Sequence, residues 1–175
     1  CEGVTDQRLD RHLVHTGNLF PSSACRLADM IGWARTMTEW LRDSGFVGLV
    51  GFDFVEYAGP GGERRAFLAE MNPRINGATY PLRLAARLNR TQREVGLPEA
   101  RGFVSGVVET EARSFAELRD LWDGDLFSRD RGAGLIPYVT GFLPYGKVGL
   151  VALAATLQEA RRLYSESAAG AGALR

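Results

Sequence analysis

The sequence predicts an α+β protein: an antiparallel sheet with flanking helices, followed by a small α/β domain. Three observations predict it. Apolar residues recur at intervals of three and four between Ala24 and Arg42, two runs rich in β-branched and aromatic residues flank a glycine-rich turn between Gly48 and Asn72, and short strand-like and helix-like patterns alternate after Pro98.

Taken in order, Gly3 to Leu9 is short and polar and fits a strand. His15-Thr16-Gly17-Asn18 with Pro21-Ser22-Ser23 reads as a loop ending at a helix cap. Leu27, Met30, Ile31, Ala34, Met37, Trp40 and Leu41 form one stripe of an amphipathic helix, and Ser44-Gly45 ends it. Gly48 to Tyr57 and Arg65 to Asn72 make a hairpin around Ala58-Gly59-Pro60-Gly61-Gly62-Glu63. Asn76-Gly77 marks a loop, and Leu82, Leu84, Ala85 and Leu88 place a helix over Pro81 to Asn89. After the break at Gly96-Leu97-Pro98, Phe103 to Thr110 reads as a strand. Ser114, with Glu117 three residues on, caps a helix reaching Trp122. Leu135 to Tyr138 and Lys147 to Ala152 are strands, and Thr156 to Glu166 is a helix. The expected division is residues 1–98, then 99–167, then a flexible tail over 168–175 rich in small residues.

Composition narrows the function classes. Hydrophobic residues make up 45% and charged residues 24% of 175 residues, a globular balance. Acids and bases are equal at 21 each, so no basic excess points to nucleic acid. Lys147 is the sole lysine. It reads either as a surface residue or as a substrate contact, and His15 likewise as a loop histidine or a ligand contact. Cys1 and Cys25 lack the spacing of a zinc site and suit free thiols in a reducing cytoplasm. No apolar stretch is long enough to span a bilayer. The chain opens on Cys1, which is expected of the interior of a larger protein.

The hairpin carries the densest chemistry. If it pivots between Gly61 and Gly62, Asp53 falls opposite Glu70, and Gly51 and Val55 fall opposite Asn72 and Leu68. The other face then holds Phe52, Phe54, Phe67, Ala69 and Met71, an apolar set suited to the core. Two facing carboxylates repel, and a hard cation resolves the repulsion. Magnesium takes oxygen ligands and is commonly held by one or two carboxylates together with phosphates, so Asp53, Glu70 and Asn72 are its candidate ligands. Arg74 would add positive charge beside the phosphates. Asn76, Gly77 and Thr79 follow at once, and a loop there could give backbone N–H groups to an anion or form a plain turn. The alternative for the acidic face is a solvated surface whose acids pair with arginines.

Phe52-Asp53-Phe54 followed by Glu70-Met71-Asn72-Pro73-Arg74 resembles the metal-binding end of the ATP-grasp enzymes. Together with Gly17-Asn18, Pro21-Ser22, Asn76 to Pro81 and the stretch from Gly134 to Tyr164, it looks like the peptide-ligase branch of the pheganomycin biosynthesis type. The resemblance implies the C-terminal part of an ATP-grasp domain in residues 1–98, with its C-terminal domain after it. It implies one or two magnesium ions on Asp53, Glu70 and Asn72, a catalytic role for Arg74, and ATP contacts by Asn76, Gly77 and Thr79. The implied activity is carboxylate–amine ligation through an acyl-phosphate. An ATP-grasp carboxylase or a non-catalytic, partner-binding remnant stands as the alternative. The implied partners are ATP, a small carboxylate, amino acid or peptide substrate, the missing N-terminal half of the same enzyme, and a second copy in a homodimer. The family's phosphate-binding lysines and glycine-rich lid have no counterpart in this sequence, so the chain alone is expected to be incomplete and inactive.

Overall fold

The computed structural model describes residues 1–172. Its elements run β1 (Asp6–Leu9), β2 (His15–Phe20), α1 (Leu27–Asp43), β3 (Gly51–Ala58), β4 (Arg64–Asn72), α2 (Thr79–Glu94), β5 (Gly102–Glu109), α3 (Phe115–Leu121), β6 (Gly134–Tyr138), a 3-10 turn (Thr140–Tyr145), β7 (Lys147–Ala154) and α4 (Leu157–Gly172). The protein is α+β. A five-stranded sheet in the order β1-β2-β5-β7-β6 is antiparallel at every pairing, and β3-β4 forms a separate two-stranded ribbon.

Alternation along β5 and β7 builds two cores. Val104, Val108, Val148, Leu150 and Ala152 face α3 and α4, where Leu118, Trp122, Ala160 and Tyr164 cover them. Phe103, Val151 and Leu153 face the other way, against Phe20 and the Leu82, Ala85 and Leu88 stripe of α2. β1 and β2 come from the first 98 residues, and β5, β7 and β6 from the segment after them, so one sheet draws on both stretches.

The capping expected at Ser114 is present. Its hydroxyl accepts from Glu117 N at 3.3 Å, while Arg113 N donates to the Glu117 carboxylate at 2.8 Å. The loop expected at His15 to Asn18 is instead strand β2. Its backbone pairs with β1 on one side and β5 on the other, and Gly17 lies so close to Ser105 O that a Cβ there would collide with it. α2 also exceeds its expected span, reaching Glu94, because Gln92 is buried through bonds to Pro98 O and Arg129 O. α4 runs through Gly172, and of the tail expected over 168–175, residues 173–175 lie outside the described residues.

The hairpin departs from its expected packing. Asp53 pairs with Glu70, but Phe54 pairs with Leu68, leaving Ala69 as an unpaired bulge. Beyond it, Phe67 rather than Leu68 sits opposite Val55, and Leu68 joins Phe52 and Phe54 on the other face. That face is not a closed core. α1 covers it in part, with Trp33 6.0 Å from Phe54 and Arg26 N bonded to the Glu56 carboxylate. Leu68 and Met71 remain exposed.

Candidate functional site

The base of the ribbon brings the expected acidic residues together. Cross-strand pairing sets Asp53 directly opposite Glu70 and Gly51 opposite Asn72, so all three polar side chains leave one face. Asn72 is buried, 6% exposed, and its Nδ2 donates to Asp53 Oδ2 at 3.1 Å. Burial, and then the neighbouring Glu70 charge, push the Asp53 carboxyl above its ordinary range. His15 and the Gln7 side chain pull it the other way. That balance locates the ribbon base beside β1 and β2.

The loop after β4 closes the same corner. A Cβ on Gly51 would meet Asn76 Nδ2, and one on Gly77 would lie 3.3 Å from His15 Cε1. Asn76 Oδ1 accepts from Ala78 N at 3.2 Å, Thr79 N at 3.1 Å and Thr79 Oγ1 at 2.9 Å. Two backbone donors of the α2 start and the Thr79 hydroxyl are thus already engaged by Asn76. Arg74 is exposed, its guanidinium donates to the adjacent Ile75 O, and it makes no ion pair among the described residues.

From this corner a cleft of about 640 Å³ extends across the part of the sheet that α2 leaves open. His15, Asn18 and Gly77 line its near end, and Glu109, Tyr138 and Lys147 its far end. Glu109 and Lys147 are register partners across β5 and β7, and form no ion pair within 4.0 Å. Lys147 and His15, each open to two readings from sequence, both line the cleft. Gln7 was missed. It lies opposite Asn18 across β1 and β2, and nothing in its local pattern marks it.

The donor set fits a cation that leaves most of its shell to other ligands. Among the described residues no group of three His, Cys, Asp or Glu side chains converges, so the site has two carboxylates and one amide. Magnesium accepts such a sparse set because it keeps waters and phosphate oxygens. Asn72 now presents its NH₂ to Asp53, and a half-turn of the amide would present Oδ1 instead.

A family model described as the PGM1 C-terminal domain matches residues 118–166. The matched stretch runs from α3 through β6 and β7 into α4, and so contributes Tyr138 and Lys147 to the cleft wall. No curated protein matches the chain. The family finding corrects the expectation of ATP-grasp membership: the related region is that of the PGM1 C-terminal domain, and the match supplies no ATP-grasp evidence. The hairpin motif, Asp53 with Glu70-Met71-Asn72-Pro73-Arg74, lies outside 118–166, whereas the stretch from Gly134 to Tyr164 lies within it. The ATP-grasp fold assignment, the carboxylate–amine ligase activity with its carboxylase and remnant alternatives, and the description as an incomplete ligase are set aside. No helix among the described residues is long and apolar enough to cross a membrane.

Proposed function

We propose that the ribbon base and the open sheet face form a binding site for a phosphate-bearing ligand held through magnesium, with ATP as the first ligand to test. The observation that carries this reading is the register of Asp53 against Glu70, with Asn72 bonded to Asp53 on the same face. Burial and the facing Glu70 charge raise the cost of ionising Asp53, and a divalent cation removes it. Asp53 and Glu70 would bind the ion directly and Asn72 through its amide oxygen. Arg74, exposed and without an ion pair among the described residues, would meet the outer phosphate charge. Gly77 lines the cleft and would offer its backbone N–H to the ligand, while Asn76 and Thr79 shape the turn that carries it. Free, exposed Cys1 and Cys25 support a reducing, cytoplasmic setting.

Calorimetric titration tests the reading. Magnesium and ATP are added together to the wild-type chain, to Asp53→Asn and to Glu70→Gln. The wild type is expected to bind, each variant at least about tenfold more weakly, equivalent to about 1.4 kcal/mol, and chelation of the metal should abolish the signal. Equal affinity in all three proteins discards the site.

A further inference from the structure

A second recess lies away from the acidic corner, where α2 meets the segment leading into β6. It has a volume of about 480 Å³ and is lined by Leu84, Arg87, Leu88, Thr91, Gln92, Phe127 and Arg129. The volume is in the range of small-molecule sites. Leu84, Leu88 and Phe127 supply its apolar lining, and the exposed Arg87 and Arg129 its two cations.

The wall is held in place by buried bonds. Gln92 is 1% exposed, and its amide donates to Pro98 O at 3.0 Å and to Arg129 O. Arg131 ties the segment from the other side, donating to Gly124 O at 2.8 Å and Leu126 O at 3.0 Å. The Arg129 backbone is thereby fixed while its guanidinium remains free. Along α2, Arg83 is paired with Glu2 and Arg93 with Glu99. Arg87, between them and facing the recess, has no acidic partner among the described residues, and neither has Arg129.

We infer that this recess binds a small amphiphilic carboxylate, its apolar body on Leu84, Leu88 and Phe127 and its head between Arg87 and Arg129. Two guanidinium forks match the paired oxygens of a carboxylate. The recess lies on the flank of α2, clear of the backbone N–H groups of its first turn, so no helix-end donors are added for a phosphate. A neutral chain would leave both cations without a partner. The inference does not depend on the magnesium site.

Decanoate, decanol and decyl phosphate serve as probes in calorimetric titrations of the full chain. Decanoate is expected to bind one to one, and decanol at least tenfold more weakly. Arg87→Gln and Arg129→Gln should each weaken decanoate about tenfold, the loss of a charge-assisted hydrogen bond, and leave decanol unchanged. Both arginines are exposed, so neither variant should disturb folding. Asp53→Asn should bind decanoate as the wild type does, which separates this site from the acidic corner. Decanoate and decanol binding alike, unchanged affinity in both arginine variants, or tighter binding of decyl phosphate overturns the inference.

Discussion

Asp53 shows how a residue that serves a ligand can weaken the free protein. Burial first, and Glu70 second, hold its folded pKa above the ordinary 3.8. The folded state therefore keeps a proton that the unfolded chain releases. The penalty is absent below the ordinary value, grows as pH rises through the window between the two pKa values, and is complete above the folded one. Asp53→Asn should consequently stabilise the metal-free protein at pH 7 by about 0.2–1 kcal/mol, the usual scale for removing directly opposed like charges. Near pH 3 the two proteins should have the same urea midpoint. Added magnesium should raise the wild-type midpoint more than that of the variant. A variant less stable than wild type at pH 7 contradicts the electrostatic account. Gly17 is a second case at this scale. Its φ of +153° and the nearness of Ser105 O leave no room for a side chain. Gly17→Ala should cost more than about 1 kcal/mol, read as a lower urea midpoint.

Elements were legible in the sequence where their determinants are local. Ser114 with Glu117 is a four-residue signal, and α3 begins where it says. Ser114→Ala should cost about 1 kcal/mol, measurable by urea denaturation, with no loss of magnesium affinity. The stripe from Leu27 to Leu41 likewise marked α1, because helical periodicity is written in neighbouring residues. β2 was hidden for the opposite reason. His15 to Asn18 has no apolar alternation, and its strand conformation is set by β5, which follows some eighty residues later. The last turn of α2 was hidden too, since a buried glutamine satisfied by distant carbonyls looks polar and exposed in sequence. Within the candidate site, the facing of Asp53 and Glu70 agrees with the expected pivot between Gly61 and Gly62 only because the extra residue at Ala69 offsets a turn that pivots at Gly61, whereas Gln7 and the cleft beyond it depend on strand pairing that no local pattern encodes.

Over the whole molecule, burial is unevenly shared. Leu118 and Leu150 are fully enclosed between the sheet and its helices, whereas Phe67 on the ribbon is 49% exposed. Leu118→Ala should therefore cost about 2–5 kcal/mol, and Phe67→Ala well under half of that. Similar losses from the two substitutions in urea denaturation would show that the ribbon is packed as tightly as the main sheet. An isolated two-stranded hairpin is marginal in water, and α1 covers only part of this one. Hydrogen exchange should accordingly be slowest in β5 and β7 and markedly faster in β3 and β4. Equal protection would oppose this view of the ribbon.

Ala69 is a joint in the ribbon. Its extra length lets the distal half of the ribbon, where Tyr57 and Phe67 meet edge to face 5.9 Å apart, turn relative to the half that ends at Asp53 and Glu70. Removing that single residue would straighten the ribbon while both flanking pairs, 53 with 70 and 54 with 68, remained opposite one another. The aromatic tip could then be re-aimed without disturbing the acidic end, so the direction of one and the chemistry of the other are free to vary separately.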